Sequence, residues 1–238
     1  MDEAKRKAFL GRLSKSLGRT EVPASVEPFD YSKGPQGKLM QNMSRDEIVE
    51  LFKAECKKNN TKYVETTKDN LYSVLMDVIK DWGNGKVIYP DAPELDEYKL
   101  RDAFNNNSNQ DVTFVKWDAE KGRDYCIGEA QNAEMGITFA TLGIAETATV
   151  LQRSDVGSGR SVGLLPLVHI AVIKTKDIYP RMTQSMQRVQ EIYDADPAGF
   201  PSNFVHITGP SSTADIELVR VVGVHGPVNI SYVLVNED

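Results

Sequence analysis

Apolar positions along the chain follow two spacings, which together predict a mixed α/β fold. Helical spacing marks residues 4–17, 44–58, 69–82, 125–135, 182–193 and 214–222. Strand-like runs lie at 62–65, 86–89, 112–117, 137–140, 148–151, 168–173, 204–207 and 228–235. Because strands alternate with helices, we predict an α/β fold with a mainly parallel sheet and helices on both faces.

The N-terminal stretch differs in pattern from the rest of the chain. A short helix with apolar Phe9, Leu13 and Leu17 is followed by residues 20–37, which contain prolines and glycines and lack periodicity. Regular spacing begins at Ser44, which forms an S-x-x-E capping box with Glu47. We therefore predict an N-terminal helix and extended arm over 1–43 and an α/β domain over 44–238.

Composition narrows the class of protein. The chain has 238 residues and a net charge of −6, which gives no sign of nucleic-acid binding, and no apolar run reaches the ~20 residues of a membrane span. Cys56 and Cys126 lie far apart, whereas an iron–sulfur cluster or a structural zinc site takes four ligands. We expect reduced thiols, no metal or cofactor in this chain, and a cytoplasmic location.

The first candidate site follows the strand at 204–207. Gly209 and Pro210 turn the chain, and Ser211, Ser212 and Thr213 lead into the helix predicted over 214–222. Free backbone N–H groups at a helix N-terminus suit a carboxylate or a phosphate, so these residues and Asp215 are candidate anion-binding residues. Plain N-capping by Ser212 or Thr213, with Asp215 offsetting the helix dipole, explains the same residues.

The second candidate is Glu146, the one charged residue between Glu134 and Arg153. A carboxylate in such an apolar span needs a partner or its pKa rises, which would suit a nucleophile or general base. A carboxylate hydrogen-bonded to backbone at a strand end is the alternative. His169 lies in an apolar strand and is expected to be a core residue. The glycine-rich loop at 154–160 lacks the P-loop and GxGxxG patterns, so we assign it no nucleotide.

Three segments together resemble the LUD-domain family. They are ITGPSSTADIE at 207–217 with VGVHGP at 222–227, GIAET at 143–147, and FLxxL at 9–13 with LGR at 17–19. The resemblance spans nearly the whole chain, and its C-terminal block is long and specific. In the family the motif around Glu146 often continues as Thr-Gly-Thr, but here Ala148 replaces the glycine. This departure concerns the local backbone, because glycine adopts φ values that alanine resists.

The resemblance implies a role in a three-protein system that oxidises L-lactate to pyruvate, with iron–sulfur partner proteins carrying the electrons. It also implies a fold like the NagB/RpiA/CoA-transferase group, in which ligands bind at the carboxyl ends of strands. Three molecular roles stay open at this point. In the first, the chain is an active subunit that holds a small anion at residues 211–213 with Glu146 near the reacting carbon. In the second, it is a non-catalytic assembly subunit that docks its partners through residues 1–40. In the third, it is an enzyme of the same fold that handles CoA or a sugar phosphate.

Overall fold

The N-terminal part of the chain forms a compact unit of its own. The computed structural model describes residues 2–25, 30, 34–36, 38–213 and 221–237. Its two compact units are Met1–Leu39 and Met40–Asp238. In the first unit, helix α1 (Glu3–Ser16) begins after Asp2, whose side chain accepts a hydrogen bond from the Ala4 N–H. It ends before Gly18, whose φ of 69° is the left-handed conformation favoured after a helix.

The second unit contains strands that mostly alternate with helices. Its helices are α2 (Arg45–Lys58), α3 (Leu71–Asp81), α4 (Glu94–Glu97), α5 (Leu100–Asn105), α6 (Arg123–Gln131), α7 (Ser161–Leu164) and α8 (Met182–Ala195). Its strands are β1 (Lys62–Thr67), β2 (Gly85–Tyr89), β3 (Val112–Lys116), β4 (Met135–Ile144), β5 (Thr149–Ser154), β6 (Val168–Lys174), β7 (Ile178–Tyr179), β8 (Asn203–Thr208), β9 (Ser212–Thr213), β10 (Val221–Val222) and β11 (Asn229–Asn236).

Six parallel strands form the centre of the sheet, in the order β1-β11-β6-β4-β2-β3. Strand β4 is the longest and belongs to two parts of the sheet. Residues from Met135 to Phe139 pair with β6 in the parallel part, and residues from Ala140 to Ile144 pair with β5 in an antiparallel part that continues to β8. The register shifts between Ala140 and Leu142, where the strand passes from one part to the other.

Apolar side chains cover both faces of the parallel sheet. On one face, helices α3, α4 and α5 pack against alternate strand residues such as Ile137 and Ile170. On the other face, Phe52 of α2 packs in one core with Ile173 of β6 and Tyr232 of β11. Alternate residues of β6 thus enter different cores, as expected for a strand buried on both sides. The predicted parallel sheet with helices on both faces is confirmed.

Local predictions differ in how well they match the structure. The capping box forms, since the Ser44 N–H donates to the Glu47 carboxylate at 2.7 Å and the Glu47 N–H donates to the Ser44 hydroxyl at 3.3 Å. The helix predicted to reach Met135 ends at Gln131, because Met135 already begins buried strand β4. The helix predicted over 214–222 is wrong at its C-terminal end, where Val221 and Val222 form β10. Residues 214–220 lie outside the described residues.

Candidate functional site

Glu146 lies in the short turn between β4 and β5. Its N–H donates to the carbonyl of Pro180 at 3.0 Å, which ties the turn to the segment before α8. One carboxylate oxygen lies 2.7 Å from Nε of Arg181, and the other accepts from the N–H of Met182 at 3.5 Å. A carboxylate at the first residue of a helix stabilises the free N–H groups there. The side chain is about a quarter exposed, so Glu146 is a partly accessible, ion-paired carboxylate.

The turn after Glu146 has an unusual backbone conformation. Ala148 closes the turn with φ 48° and ψ 48°, which is the left-handed region, and its side chain is fully buried. An L-residue other than glycine reaches this region at a cost of about 1–2 kcal/mol. At this position the family resemblance implies glycine. The alanine therefore keeps the turn conformation and adds strain to it.

The segment after β8 forms a turn and a two-stranded ribbon. Gly209 has φ 65°, and a Cβ there would lie 3.1 Å from Cγ of Asn59, so the turn needs glycine for both conformation and space. The Ser211 N–H donates to the carbonyl of Pro227 at 2.9 Å. Ser212 and Thr213 pair antiparallel with β10, so they lie in a strand and not at the start of a helix. Asp215 lies outside the described residues.

The two motifs are adjacent in the fold. Thr149 pairs with Thr208 across β5 and β8, and the hydroxyls of Thr147, Thr149 and Thr208 form a chain with oxygen–oxygen distances of 2.7 Å and 2.6 Å. The fully buried phenol of Tyr232 lies 3.0 Å from the carbonyl oxygen of Ala148 and also contacts the backbone after β8. The Glu146 carboxylate, by contrast, is directed to Arg181 at the start of α8.

His169 lies in a buried polar group on the β4–β6 face. Its Nε2 lies 2.7 Å from the Thr138 hydroxyl, and its Nδ1 has no partner among the described residues. A Cβ on Gly163 would lie 2.3 Å from Oε1 of Gln152 and 3.2 Å from Nε2 of His169, so glycine leaves the space that these polar side chains occupy. Burial lowers the pKa of His169 to about 4, and the imidazole is therefore neutral near pH 7.

A cleft of about 120 Å³ lies at the carboxyl end of β6, beside the point in the middle of β4 where its parallel pairing ends. Its floor includes Phe139 and Ala140, where β4 passes into the antiparallel part of the sheet. The polar side chains that line it come from several elements: Glu94, Tyr98, Thr141, Arg153, Lys174 and Asp177. We call this the strand-end cleft. The sequence alone did not single out these residues. Lys174 could have been found, because it ends a buried strand and open α/β sheets bind ligands at the carboxyl ends of their strands.

Ion pairs hold the cations of the strand-end cleft in place. Arg153 pairs with Glu94 at 3.1 Å and with Asp155 at 3.2 Å. Lys174 pairs with Glu97 at 2.5 Å and with Glu237 at 3.4 Å. Each of the two cations is therefore paired with two carboxylates, which fix its orientation.

Asp177 differs from the other carboxylates around the strand-end cleft. In the part of the chain that the structure describes, its carboxylate has no hydrogen bond or ion pair, and burial raises its pKa above the ordinary value. Burial, followed by the charge of Glu97, likewise raises the pKa of Tyr98, whose phenol stays protonated. A cleft that contains a carboxyl group with a raised pKa is a candidate site for binding or proton transfer.

Clusters of metal-binding side chains and long apolar helices would indicate a metal site or a membrane span. Among residues 2–25, 30, 34–36, 38–213 and 221–237, no group of three or more His, Cys, Asp or Glu side chains is placed to hold a metal ion. Within those same ranges, no helix has the length and apolar character that crossing a bilayer would require.

The fold and the cleft together define an α/β protein whose parallel sheet gathers polar side chains at its strand ends. Residues 49–235 match the LUD domain family, and the chain belongs to this family. It is 38% identical to lactate utilization protein C of Bacillus subtilis (strain 168) over 98% of this chain and 96% of that protein. It is also 38% identical to the protein of the same name from Macrococcus caseolyticus (strain JCSC5402), over 97% and 95% of the two chains.

A solved structure supports the fold. The crystal structure of a DUF162 family protein from Deinococcus radiodurans matches with a TM-score of 0.58, at 22% identity, and covers 81% of this chain and 99% of that one. At this level of identity the likeness concerns the fold alone.

Proposed function

We propose that this chain is a subunit of an L-lactate utilization system and is required for the oxidation of L-lactate to pyruvate. The observation that carries the proposal is the 38% identity to proteins named lactate utilization protein C, over nearly the full length of both chains. The oxidation removes two electrons and two protons from C2 and its hydroxyl group. In this proposal the electrons pass to iron–sulfur clusters in partner proteins.

The cysteines support placing the clusters in the partners. Cys56 is a residue of α2 that packs into the core, and Sγ of Cys126 contacts the carbonyl of Asp118 at 3.0 Å; both thiols are buried. Burial raises the pKa of the Cys56 thiol to about 12, whereas a cluster ligand must be a thiolate. We therefore propose that this chain carries no cofactor of its own and works in the cytoplasm, where thiols stay reduced.

The test is reconstitution from purified proteins. The chain is mixed with candidate iron–sulfur partners, complex formation is measured by pull-down, and L-lactate oxidation is measured with and without the chain. We expect oxidation to depend on its presence. Equal rates with and without the chain, in a mixture that oxidises lactate, would contradict the proposal.

For an active subunit, we propose Glu146 as the general base and Gly209, Ser211, Ser212, Thr213 and Asp215 as the anion-binding residues. The Tyr232 phenol and the threonine hydroxyls join the two turns, whereas the Glu146 carboxylate itself is paired with Arg181, so a role as base requires Glu146 to leave this ion pair. If Glu146 takes a proton from lactate, Glu146→Gln should lower turnover roughly 100-fold or more. Ser212 lies in β9 and not at a helix N-terminus, so Ser212→Ala removes only a strand hydroxyl and should fold; if residues 211–213 hold the anion, it should bind anions less well.

The matched control for Glu146 is Glu191→Gln. Glu191 is another ion-paired glutamate, exposed on α8 next to Arg188, and its substitution should leave turnover unchanged. If Glu146→Gln only lowers the melting temperature and keeps the turnover, Glu146 caps α8 and is not a base.

A second candidate function is that of a non-catalytic assembly subunit. It is favoured by the exposed apolar side chains of α1 and its C-cap, where Phe9 is 57%, Leu13 45% and Leu17 58% exposed. Their spacing of four residues places them on one face of a helix. In this case Phe9→Ser with Leu13→Ser should abolish capture of the partner proteins. The matched control is Lys7→Ser with Lys15→Ser, which changes exposed charged residues on the other side of the same helix.

A further inference from the structure

Three acceptor oxygens of the strand-end cleft receive no hydrogen bond from the residues that the structure describes. One is the phenol of Tyr98, although this residue is only 6% exposed. The second belongs to the Asp177 carboxylate, and the third is Oε1 of Glu94, whose Oε2 alone accepts from Arg153. Because buried polar groups normally have partners, three such oxygens around one cleft indicate a donor that these residues do not supply.

The charge around the cleft is negative. Arg153 and Lys174 line it, but each is already paired with two carboxylates. The charged lining residues and their ion-pair partners comprise five carboxylates, Glu94, Glu97, Asp155, Asp177 and Glu237, and three cations, Arg153, Lys174 and Lys176. This excess of carboxylates disfavours an anion and favours a ligand with a positive charge.

Size and shape restrict the ligand further. The volume of about 120 Å³ equals that of about four water molecules at roughly 30 Å³ each, which suits a molecule of few non-hydrogen atoms. Phe139 and Val172 add apolar surface, and the ring of Tyr98 stacks on Phe139 with centroids 6.2 Å apart. A short alkyl chain suits this surface, and a primary ammonium has three N–H donors for the three oxygens.

We propose that the strand-end cleft binds a primary ammonium group on a short alkyl chain, with its N–H groups donating to Asp177, Glu94 and the Tyr98 phenol. The proposal does not depend on the role in lactate utilization, because no residue that lines the cleft is among those proposed for that reaction. The ammonium group can belong to a free small amine or to a lysine side chain of a partner protein, which present the same chemistry.

The first test measures binding of three chloride salts to the full-length chain by isothermal titration calorimetry at one ionic strength. Ethylammonium has the charge and three N–H donors, tetramethylammonium has the charge without a donor, and sodium controls for salt. We expect ethylammonium to bind about tenfold or more tightly than tetramethylammonium, because only ethylammonium makes charge-assisted hydrogen bonds. No binding of ethylammonium beyond that of sodium, or equal binding of both ammonium ions, would overturn the proposal.

A lysine analogue distinguishes the two sources of the ammonium group. N-α-acetyl-lysinamide should bind more tightly than ethylammonium if the cleft receives a lysine of a partner protein, and less tightly if it receives a free small amine. Either order supports the ammonium site, and failure of both compounds to bind overturns it.

The second test uses two substitutions that preserve the shape of the cleft. Asp177→Asn removes the unpaired charge and should weaken ethylammonium binding about tenfold or more, and Tyr98→Phe removes one acceptor and should weaken it about threefold. The matched controls are Asp124→Asn, at a fully exposed side chain, and Tyr193→Phe, at a tyrosine that is 45% exposed. Both controls should bind as the unchanged chain does, and unchanged affinity in both cleft variants would overturn the proposal.

Melting temperatures separate binding from folding. Neither cleft variant loses a hydrogen bond to the described residues, so both should fold. Ethylammonium should raise the melting temperature of the unchanged chain and of the two controls, and it should raise that of Asp177→Asn much less. An equal rise in Asp177→Asn and the unchanged chain would overturn the proposal. If one cleft variant does not fold, the other variant and the ligand series on the unchanged chain still decide it.

Discussion

At the scale of single residues, His169 combines burial with a titratable group. Its pKa is lowered to about 4 from 6.5, so the unfolded chain takes up a proton at a higher pH than the folded one does. The stability that comes from keeping this imidazole neutral is complete above pH 6.5 and is lost as the pH falls towards about 4. Acidification through this window should therefore destabilise the protein by up to a few kcal/mol from this residue alone.

His169→Gln tests this pH dependence. The variant should show a smaller loss of melting temperature between pH 6.5 and 4 than the unchanged chain, because no imidazole needs to be charged on unfolding. His225→Gln, at an exposed histidine, is the control and should keep the original profile. Identical profiles for His169→Gln and the unchanged chain would contradict the prediction.

Ala148 offers a second prediction at this scale, because its buried methyl group and its strained backbone act in opposite directions. Replacement by glycine loses about 0.8 kcal/mol of methyl burial and about 0.5–1 kcal/mol of chain entropy. It recovers about 1–2 kcal/mol of left-handed strain. Ala148→Gly should therefore change the free energy of unfolding by less than about 1 kcal/mol.

Ala171 is the matched control for this substitution. It is also fully buried, but it lies in regular strand β6, where there is no strain to relieve. Ala171→Gly should cost about 1.5 kcal/mol in urea unfolding. An equal loss at the two positions would show that the turn at Ala148 is not strained.

At the scale of elements, Tyr232 of β11 joins the turns at the ends of two other strands. Its phenol lies 3.0 Å and 3.2 Å from the carbonyl oxygens of Ala148 and Ile207 and accepts from the Gly209 N–H at 3.4 Å. Tyr232→Phe leaves buried backbone groups without this partner, and it should cost about 1–3 kcal/mol of unfolding free energy. Tyr72→Phe, at a partly buried tyrosine, should cost less than about 1 kcal/mol.

The sequence predicted the long elements because their periodicity extends over several turns or strand residues. Helices α4, α5 and α7 are four to six residues long, too short for a helical period to stand out. The ribbon of β9 and β10 depends on pairing between Ser212 and Val222, which local propensity does not reveal. The capping box at Ser44 was readable because both of its partners lie within one turn.

The candidate sites show a similar limit. The contact between Tyr232 and Ala148 joins residues more than eighty positions apart, and only the strand order brings them together. Arg153, Lys174 and Asp177 are ordinary charged residues in the sequence, and only the strand order brings them together around the cleft beside the middle of β4. For Glu146, by contrast, the sequence predicted a partner, because a carboxylate in an apolar span needs a hydrogen-bond donor or a cation. The sequence did not reveal that this partner is Arg181.

At the scale of the whole molecule, the two compact units predict the outcome of a truncation. The second unit, Met40–Asp238, contains the sheet and both of its large cores. Deletion of residues 1–39 should therefore leave a folded protein with a melting temperature close to that of the full chain. If α1 docks the partner proteins, capture of those proteins should fall.

Circular dichroism and the partner pull-down measure these two effects separately. A control chain that lacks only residues 2–6, before the exposed Phe9, should keep both its stability and its partner binding. A large loss of melting temperature on removal of 1–39 would show that the first unit is part of the folding core.

Strand β4 pairs with parallel β6 through one half and with antiparallel β5 through the other. Neither part of the sheet can separate without breaking hydrogen bonds of this one strand, so the second unit should open as a single cooperative block. Backbone amides of Ile137 and Leu142 would then exchange with deuterium at nearly the same slow rate, set by global opening. Strand β4, which forms the floor of the cleft, would also be the last part of the second unit to exchange its amide hydrogens.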